Sequence, residues 1–333
     1  MNMREEPTVG CGRLMDPATA AGLIKAGGYY CVAGDQKLLQ ALPRGNWIGG
    51  TIPYFMGEKG GEASREKVFL TPVPVLARQP TIRCYDVTEL PQVCTDGPPN
   101  GYTMMILPAF APVHSFYARN APSFEDMFMK PVVGWVSGIH LDDVGKALPG
   151  VMNGQTGRFE TNCAAVMHIP LPSEYFAQVD IINGMVPGDG DAIRFLETGF
   201  SAGECLVNGR PTRLADYLER TRADFRLPLV ADYCGAVINV SLKGVDAASG
   251  RVEFYAPVFE RIEYRFAAPP GNLPVIGPEE GREASFSCNC ILNYLYGKLE
   301  GKRTGYYTGP MTFGEIAYLL LNQTLVHLTI AKA

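Results

Sequence analysis

Apolar runs bounded by glycine and proline recur along most of this chain and predict many strands and few helices. Unbroken runs such as YYCVAG (29–34) are typical of buried strands, and the alternation in GRVEFYAPVF (250–259) is typical of half-buried antiparallel strands. In KVFLTPVPVLA (67–77) the prolines predict an edge strand. A double glycine interrupts the strand that is predicted for NWIGGTIPYF (46–55).

Capping residues mark the starts of the predicted helices. Asp16 followed by Pro17 combines an N-cap with proline at the first helical position, and Asp35 precedes a second short helix. Thr212 is the predicted cap of a third helix, in which three apolar residues at helical spacing fall on one face: Leu214, Tyr217 and Leu218.

The order of these elements predicts the fold class. Strands outnumber helices and are joined by short turns, which favours an α+β protein with mainly antiparallel or mixed sheets flanked by helices. A layered α-β-β-α arrangement is one form that such a protein takes. The glycine-rich connector at 146–162 predicts two halves, residues 1–155 and 156–333.

Composition and charge narrow the possible partners. At 333 residues and 47% hydrophobic, the chain is able to bury a sizeable core. Its net charge of −5, without a dense Lys/Arg stripe, argues against binding to nucleic acid or to an anionic membrane. No signal peptide or membrane-spanning run is visible, so we expect a cytoplasmic protein whose nine cysteines are reduced thiols.

Familiar catalytic and metal-binding motifs do not occur. The sequence has no P-loop and no G-x-S-x-G elbow, and its four histidines (114, 140, 168 and 327) are not spaced as metal ligands. We therefore expect no metal. A haem held by one axial histidine needs no spacing, so His168 or His327 remains a candidate ligand for a haem-based gas sensor.

SFSCNC (285–290) places two cysteines where a strand passes into a helix. A C-x-C pair supplies only two metal ligands, and no second pair stands out. Near a helix N-terminus the pKa of Cys288 would be lowered, which leaves open an enzyme that uses Cys288 as a thiol nucleophile. Two small buried thiols are the simpler interpretation, because free cysteines favour protein interiors.

Several motifs together resemble FIST domains. ECLVNGRPTRLADYL (204–218) is similar to a conserved FIST segment, SFSCNC to the F-S-C strand end of that family, and GKRTGYYTGPMTFGEI (301–316) to its terminal G-E-I element. The strand–helix–strand unit at 29–55 resembles the first FIST unit, although Thr51 replaces the usual serine. On this resemblance the chain is a divergent member with a FIST N-like and a FIST C-like half.

The resemblance implies a stand-alone sensory protein that binds a small molecule, such as an amino acid or a derivative, and acts through a separate signalling protein. Glycines permit close backbone approach to a ligand, Glu315 is suited to pairing with an amine, and Asn322 offers donors and acceptors. The predicted ligand-binding residues are Gly49, Gly50, Thr51, Ser287, Cys288, Gly314, Glu315 and Asn322.

Overall fold

Sheet structure predominates in this protein. The computed structural model describes residues 12–233, 236–268, 284–303 and 305–333. Strands hold 45% of the residues and helices 16%, and the strands form several sheets, so the predicted α+β class is confirmed.

Short helices are distributed along the described residues. The α-helices are α1 (Pro17–Ala26), α2 (Gln36–Ala41), α3 (Pro112–Asn120), α4 (Leu214–Thr221) and α5 (Ile291–Tyr296). Single 3-10 turns occupy Leu90–Gln92, Ala121–Ser123 and Leu141–Asp143.

The strands are short and follow one another closely. Up to residue 170 they are β1 (Arg13–Met15), β2 (Tyr29–Gly34), β3 (Asn46–Thr51), β4 (Tyr54–Gly57), β5 (Gly60–Ala63), β6 (Val68–Val73), β7 (Thr81–Tyr85), β8 (Gly101–Pro108), β9 (Val132–Ser137), β10 (Val151–Asn153), β11 (Arg158–Glu160) and β12 (Ala164–Pro170). Beyond it they are β13 (Tyr175–Ile182), β14 (Ile193–Phe195), β15 (Gly199–Ala202), β16 (Glu204–Val207), β17 (Arg210–Arg213), β18 (Leu229–Tyr233), β19 (Ala236–Val240), β20 (Leu242–Val245), β21 (Val252–Val258), β22 (Glu263–Phe266), β23 (Ala284–Cys290), β24 (Gly309–Thr312), β25 (Glu315–Ala317), β26 (Leu319–Leu321) and β27 (Leu325–Lys332).

These strands build five sheets. Sheet I has the order β1-β6-β2-β3-β10-β11, sheet II β26-β25-β9-β8-β12-β7, and sheet III β13-β27-β23-β24-β4-β5. Sheet IV has the order β17-β16-β14-β22-β18-β19, and sheet V β15-β21-β20. Sheets I, II and III each contain one parallel pair among antiparallel pairs, namely β2–β3, β8–β9 and β23–β24.

Helix caps agree with the sequence pattern at two of three positions. The side chain of Asp16 accepts a hydrogen bond from the Thr19 N–H at 2.9 Å, and that of Asp35 accepts one from the Lys37 N–H at 3.1 Å. The prediction for Thr212 is wrong, because this residue lies in β17 and pairs with Cys205. Helix α4 begins after Arg213, and its predicted apolar face is buried as expected.

Two predictions, a break in one strand and an edge position for another, are also wrong. Strand β3 continues without a break through its double glycine to Thr51, because β2 and β10 pair with it on both sides. Strand β6 is an inner strand between β1 and β2. Its Pro72 is tolerated because the pairing with β1 covers only Val68–Leu70, so the proline lies on a locally unpaired edge.

Strands that are distant in sequence complete two of the sheets. In sheet II, β25 pairs with β9, and in sheet III, β24 pairs with β4. The predicted boundary at residue 155 falls in the turn between β10 and β11, which pair with each other. The division into residues 1–155 and 156–333 stays a prediction.

Alternate residues of the inner strands face different cores. On β8, Met104 and Ile106 belong to the largest apolar cluster, whereas Met105 and Leu107 belong to the cluster that α3 covers. Helices α1 and α2 cover a third cluster on sheet I, which includes Trp47. The turn after β8, at Ala109 and Phe110, and the start of α3, at His114 and Ser115, line a large cavity.

Candidate functional site

The glycines predicted to approach a ligand are packed against protein instead. A Cβ atom at Gly50 would lie 2.6 Å from the Cγ2 of Ile106 and 2.7 Å from the ring of Trp135. One at Gly49 would lie 2.8 Å from the ring of Trp47. Thr51 accepts a hydrogen bond at its Oγ1 from the N–H of Gly150 at 3.0 Å. Gly50 thus packs sheet I against sheet II, and the part of all three residues in ligand binding stays a prediction.

Replacing Gly50 by alanine separates packing from ligand contact. The added methyl group has to displace Ile106 or Trp135, so we expect a loss of about 1–3 kcal/mol in the free energy of unfolding by urea. Gly190→Ala is the matched control, since a Cβ there meets nothing within 4 Å. If Gly50→Ala left the stability unchanged but abolished ligand binding, Gly50 would be a ligand-contact residue and not a packing residue.

Ser287 and Cys288 lie in β23, next to a void of only about 10 Å³, the space of one water molecule. The Ser287 hydroxyl donates to the carbonyl oxygen of Thr308 at 2.7 Å, and the Cys288 thiol donates to that of Gly134 at 3.4 Å. Burial, and then the nearby Glu315, raise the pKa of Cys288 well above its usual value. A buried thiol of this kind is a poor nucleophile, so the geometry gives the enzyme alternative no support.

Gly314 and Glu315 lie where β25 meets the end of β24. Glu315 is completely buried, and its Oε2 accepts hydrogen bonds from the N–H of Thr324 at 3.2 Å and from its hydroxyl at 2.7 Å. Burial raises the pKa of Glu315 to about 8, which makes the carboxyl group neutral at pH 7. A neutral carboxyl group is unsuited to pairing with an amine.

The second oxygen of Glu315, Oε1, also has a hydrogen-bond partner. The hydroxyl of Thr312 lies 3.0 Å from the carbonyl oxygen of Gly314, to which it donates, and 3.3 Å from Oε1 of Glu315. The Thr312 hydroxyl donates to Oε1 when the group is ionised, and a neutral Glu315 can donate from Oε1 to this hydroxyl while Oε2 accepts from Thr324. Every polar atom of the carboxyl group is thus hydrogen-bonded in its neutral form.

Asn322 is the predicted residue that borders a large cavity. The cavity has a volume of about 720 Å³ and lies between α3, α5, sheet V and the segment 141–148, and we call it the α3–α5 cavity. Aromatic and aliphatic side chains form most of its wall, including Phe110, Phe200, Phe254, Phe313, Ile291 and Leu292. Its size and apolar walls are those of ordinary small-molecule sites.

Two residues that line this cavity each carry a buried polar atom without a hydrogen-bond partner among the described residues. The two atoms are Nδ2 of Asn322 and Nε2 of His114, and the two side chains belong to residues that are 2% and 7% exposed. Burial lowers the pKa of His114 to about 4, so its imidazole is neutral at pH 7. An unpaired buried polar group costs about 1–3 kcal/mol, a cost that a bound ligand would relieve.

The segment 141–148 forms one side of the cavity, and an ion pair and a hydrogen bond hold its first residues in place. Asp143 forms an ion pair with Arg65 at 2.8 Å, and the N–H of Leu141 donates to the hydroxyl of Tyr54 at 3.1 Å. Farther along, Val144 and Leu148 line the cavity with 51% and 64% of their surface exposed. A ligand in the cavity would cover these apolar side chains.

Charged groups are confined to the cavity rim. Lys243 of β20 and Glu253 of β21 form an ion pair at 3.0 Å, with both side chains more than 40% exposed. Lys146 lies on the exposed segment and donates to the carbonyl oxygen of Asp142 at 2.8 Å. The rest of the described lining is mostly apolar and carries no charged side chain.

The histidines considered for haem lie elsewhere. Nε2 of His168 is 2.8 Å from the Tyr85 hydroxyl, and its Nδ1 is 2.9 Å from the Thr103 hydroxyl. His327 stacks on Tyr307 with ring centroids 4.7 Å apart. No group of three or more His, Cys, Asp or Glu side chains suited to a metal ion occurs in the described ranges. The geometry gives the haem alternative no support.

A family model matches residues 15–331, almost the whole chain, and its description is "Family of unknown function (DUF6976)". The chain belongs to DUF6976. The FIST assignment is therefore wrong, since DUF6976 and not FIST is the family whose model matches. No curated protein and no solved structure matches this DUF6976 chain. None of the described helices of this DUF6976 member has the length and apolarity to cross a membrane.

Sequence reasoning missed most of the cavity. It identified Asn322 but not His114, Phe200 or the segment 141–148, because these elements converge only through the sheet topology. One structural sign of the site lies at the turn between β8 and α3, and the sequence does not show it. Phe110 has φ of 64° and is 56% exposed, an unfavourable conformation and position for an aromatic residue without a binding role.

Proposed function

We propose that this DUF6976 protein binds a small organic molecule in the α3–α5 cavity. The observation that carries the proposal is a cavity of about 720 Å³ with mostly apolar walls, whose lining includes two residues that hold a buried polar atom without a partner among the described residues. Pockets of this size with a few fixed polar groups are the usual sites for small molecules. Sensing and a signalling partner followed from the FIST resemblance and are not part of this proposal.

Binding of the uncharged dye phenylnaphthylamine tests the proposal. We expect saturable binding at one site, with enhanced fluorescence. Ala147→Trp places a large side chain at the cavity from the exposed segment, and we expect it to weaken binding at least about tenfold. Ala18→Trp, on the exposed side of α1, is the matched control. Equal affinity in the two variants, or no saturable binding by the wild type, would contradict the proposal.

A thermal-shift screen then searches for the natural ligand. A molecule that binds the native state raises its apparent stability, and by more the tighter it binds at a given concentration, so true ligands increase the melting temperature of the wild type more than that of Ala147→Trp. Amino acids and their derivatives, which the FIST resemblance implied, belong in this screen beside uncharged aromatic compounds.

We propose also that the layers follow the order α-β-β-α. Helices α1 and α2 cover one face of sheet I, and Gly50 on that sheet is packed against Ile106 and Trp135 of sheet II. Helix α3 covers the cluster formed by the other alternate residues of β8. An experimental structure with α1 and α3 on the same side of these sheets would contradict this arrangement.

A further inference from the structure

The amide of Asn322 has a fixed orientation. Its Oδ1 lies 3.2 Å from the backbone N of Ser241 and 3.0 Å from the Ser241 hydroxyl. A backbone N–H only donates, so the amide atom that faces it is the oxygen. The other end of the amide is therefore an NH₂ group, which has hydrogens to donate and no acceptor among the described residues.

This orientation selects the chemistry of the group that meets Asn322. A donor such as an ammonium group would face the N–H bonds of the amide and leave both sides unpaired. A carboxylate at this position would bury a negative charge without a cation beside it. The described cations that line the cavity, Lys146 and Lys243, lie at its exposed rim. An uncharged acceptor, as in a ketone or an amide, satisfies Nδ2 without burying a charge.

The remaining wall selects the body of the ligand. Phe110 and Phe313 form an edge-to-face pair with centroids 6.0 Å apart, and His114 lies 5.8 Å from the ring of Phe200. Aromatic rings pack favourably on such offset and tilted faces. His114 Nε2 supplies a second hydrogen-bonding position, whose role as donor or acceptor depends on the tautomer.

From these contacts we infer that the ligand of the α3–α5 cavity is an uncharged aromatic ketone or amide whose carbonyl oxygen accepts a hydrogen bond from Nδ2 of Asn322. The inference rests on the proposed function of the same cavity. It narrows that function from small molecules in general to one class, and it disfavours a free amino acid with its ammonium group at Asn322.

Four naphthalene derivatives with the same ring body test the inference: the acetyl, ethyl, carboxylate and aminomethyl compounds. Their affinities are measured by competition with phenylnaphthylamine. In the wild type we expect the acetyl compound to bind about tenfold more tightly than the ethyl compound, and the two charged compounds to bind more weakly than both.

Asn322→Asp should reverse the preference among the four compounds, an effect that a purely structural role of Asn322 would not produce. This change keeps an oxygen toward Ser241 and replaces the donor Nδ2 by an acceptor oxygen. We expect the acetyl preference to be lost and the aminomethyl compound to gain affinity. His114→Phe is a second variant, which leaves Asn322 intact, and we expect it to retain the acetyl preference.

The outcomes distinguish the two proposals. If all four compounds bind equally well and Ala147→Trp weakens them all, the cavity function stands and the assigned ligand class is wrong. A preference for the charged compounds in the wild type also overturns the ligand class. If neither the dye nor any naphthalene shows saturable binding, the proposed function itself fails.

Discussion

Glu315→Gln is expected to make the protein markedly more stable above pH 8 and to remove much of the pH dependence of its stability. Glutamine has the shape of the neutral carboxyl group, and its amide can donate to Thr312 and accept from Thr324 as Glu315 does. Unlike the carboxyl group it does not ionise in the core. Urea denaturation of wild type and variant at pH 5, 7 and 9 measures the effect.

The sign follows from the direction of the pKa change. Burial raises the pKa of Glu315 from 4.5 to about 8, so between these pH values the folded state holds a proton that the unfolded state has released. The free energy of unfolding of the wild type then falls as pH rises through this range and levels off above it. A difference of one pKa unit between the folded and unfolded states corresponds to about 1.4 kcal/mol, so the free energy of unfolding falls by on the order of 5 kcal/mol.

Glu125→Gln is the control, since Glu125 is exposed. We expect its pH profile to follow that of the wild type. If the stabilities of wild type and Glu315→Gln stay parallel between pH 5 and pH 9, the carboxyl group of Glu315 is not the neutral acid that its complete burial indicates.

Gly134→Ala is expected to prevent folding or to lower the free energy of unfolding by more than about 3 kcal/mol. A Cβ atom at this position would run into the carbonyl oxygen of Met105, on the neighbouring strand β8. Because β9 is paired with β8 on one side and β25 on the other, its backbone has no direction in which to yield. Soluble expression and chemical denaturation measure the result.

The same substitution at Gly22 should act in the opposite direction. Gly22 lies within α1, and a Cβ atom there meets nothing within 4 Å. Alanine is favoured over glycine in a helix by about 1 kcal/mol, so Gly22→Ala should stabilise the protein by up to that amount. A Gly134→Ala variant as stable as Gly22→Ala would show that β9 tolerates a side chain.

Local features of the fold were predictable because their causes are local. Asp16 and Asp35 cap helices through hydrogen bonds to residues only two or three positions away, and a pattern of two residues per repeat identifies strands such as β21. Thr212 failed because a strand pairing with Cys205 overrode its tendency to cap. Pairing across the chain is a property that local patterns do not contain.

The cavity was less predictable for the same reason. Asn322 was recognised as a versatile polar residue, but the orientation that leaves its amide nitrogen unpaired depends on Ser241, which lies between β19 and β20. Glu315 was expected to be an ionised partner for an amine, whereas complete burial makes it a neutral acid. The FIST resemblance failed because short motifs recur in unrelated families, while the DUF6976 match extends over residues 15–331.

The pairing of β25 with β9 has a consequence for biosynthesis. Glu315 is paired with Trp135, about 180 residues earlier in the chain, and Pro310 with Phe55, about 255 residues earlier. On a translating ribosome, β4 and β9 emerge long before β24 and β25 are synthesised, so one edge of each strand stays unpaired during that time. Contacts of such high sequence separation slow folding and prolong exposure to aggregation, so chaperones that shield nascent edges should raise the yield of native protein.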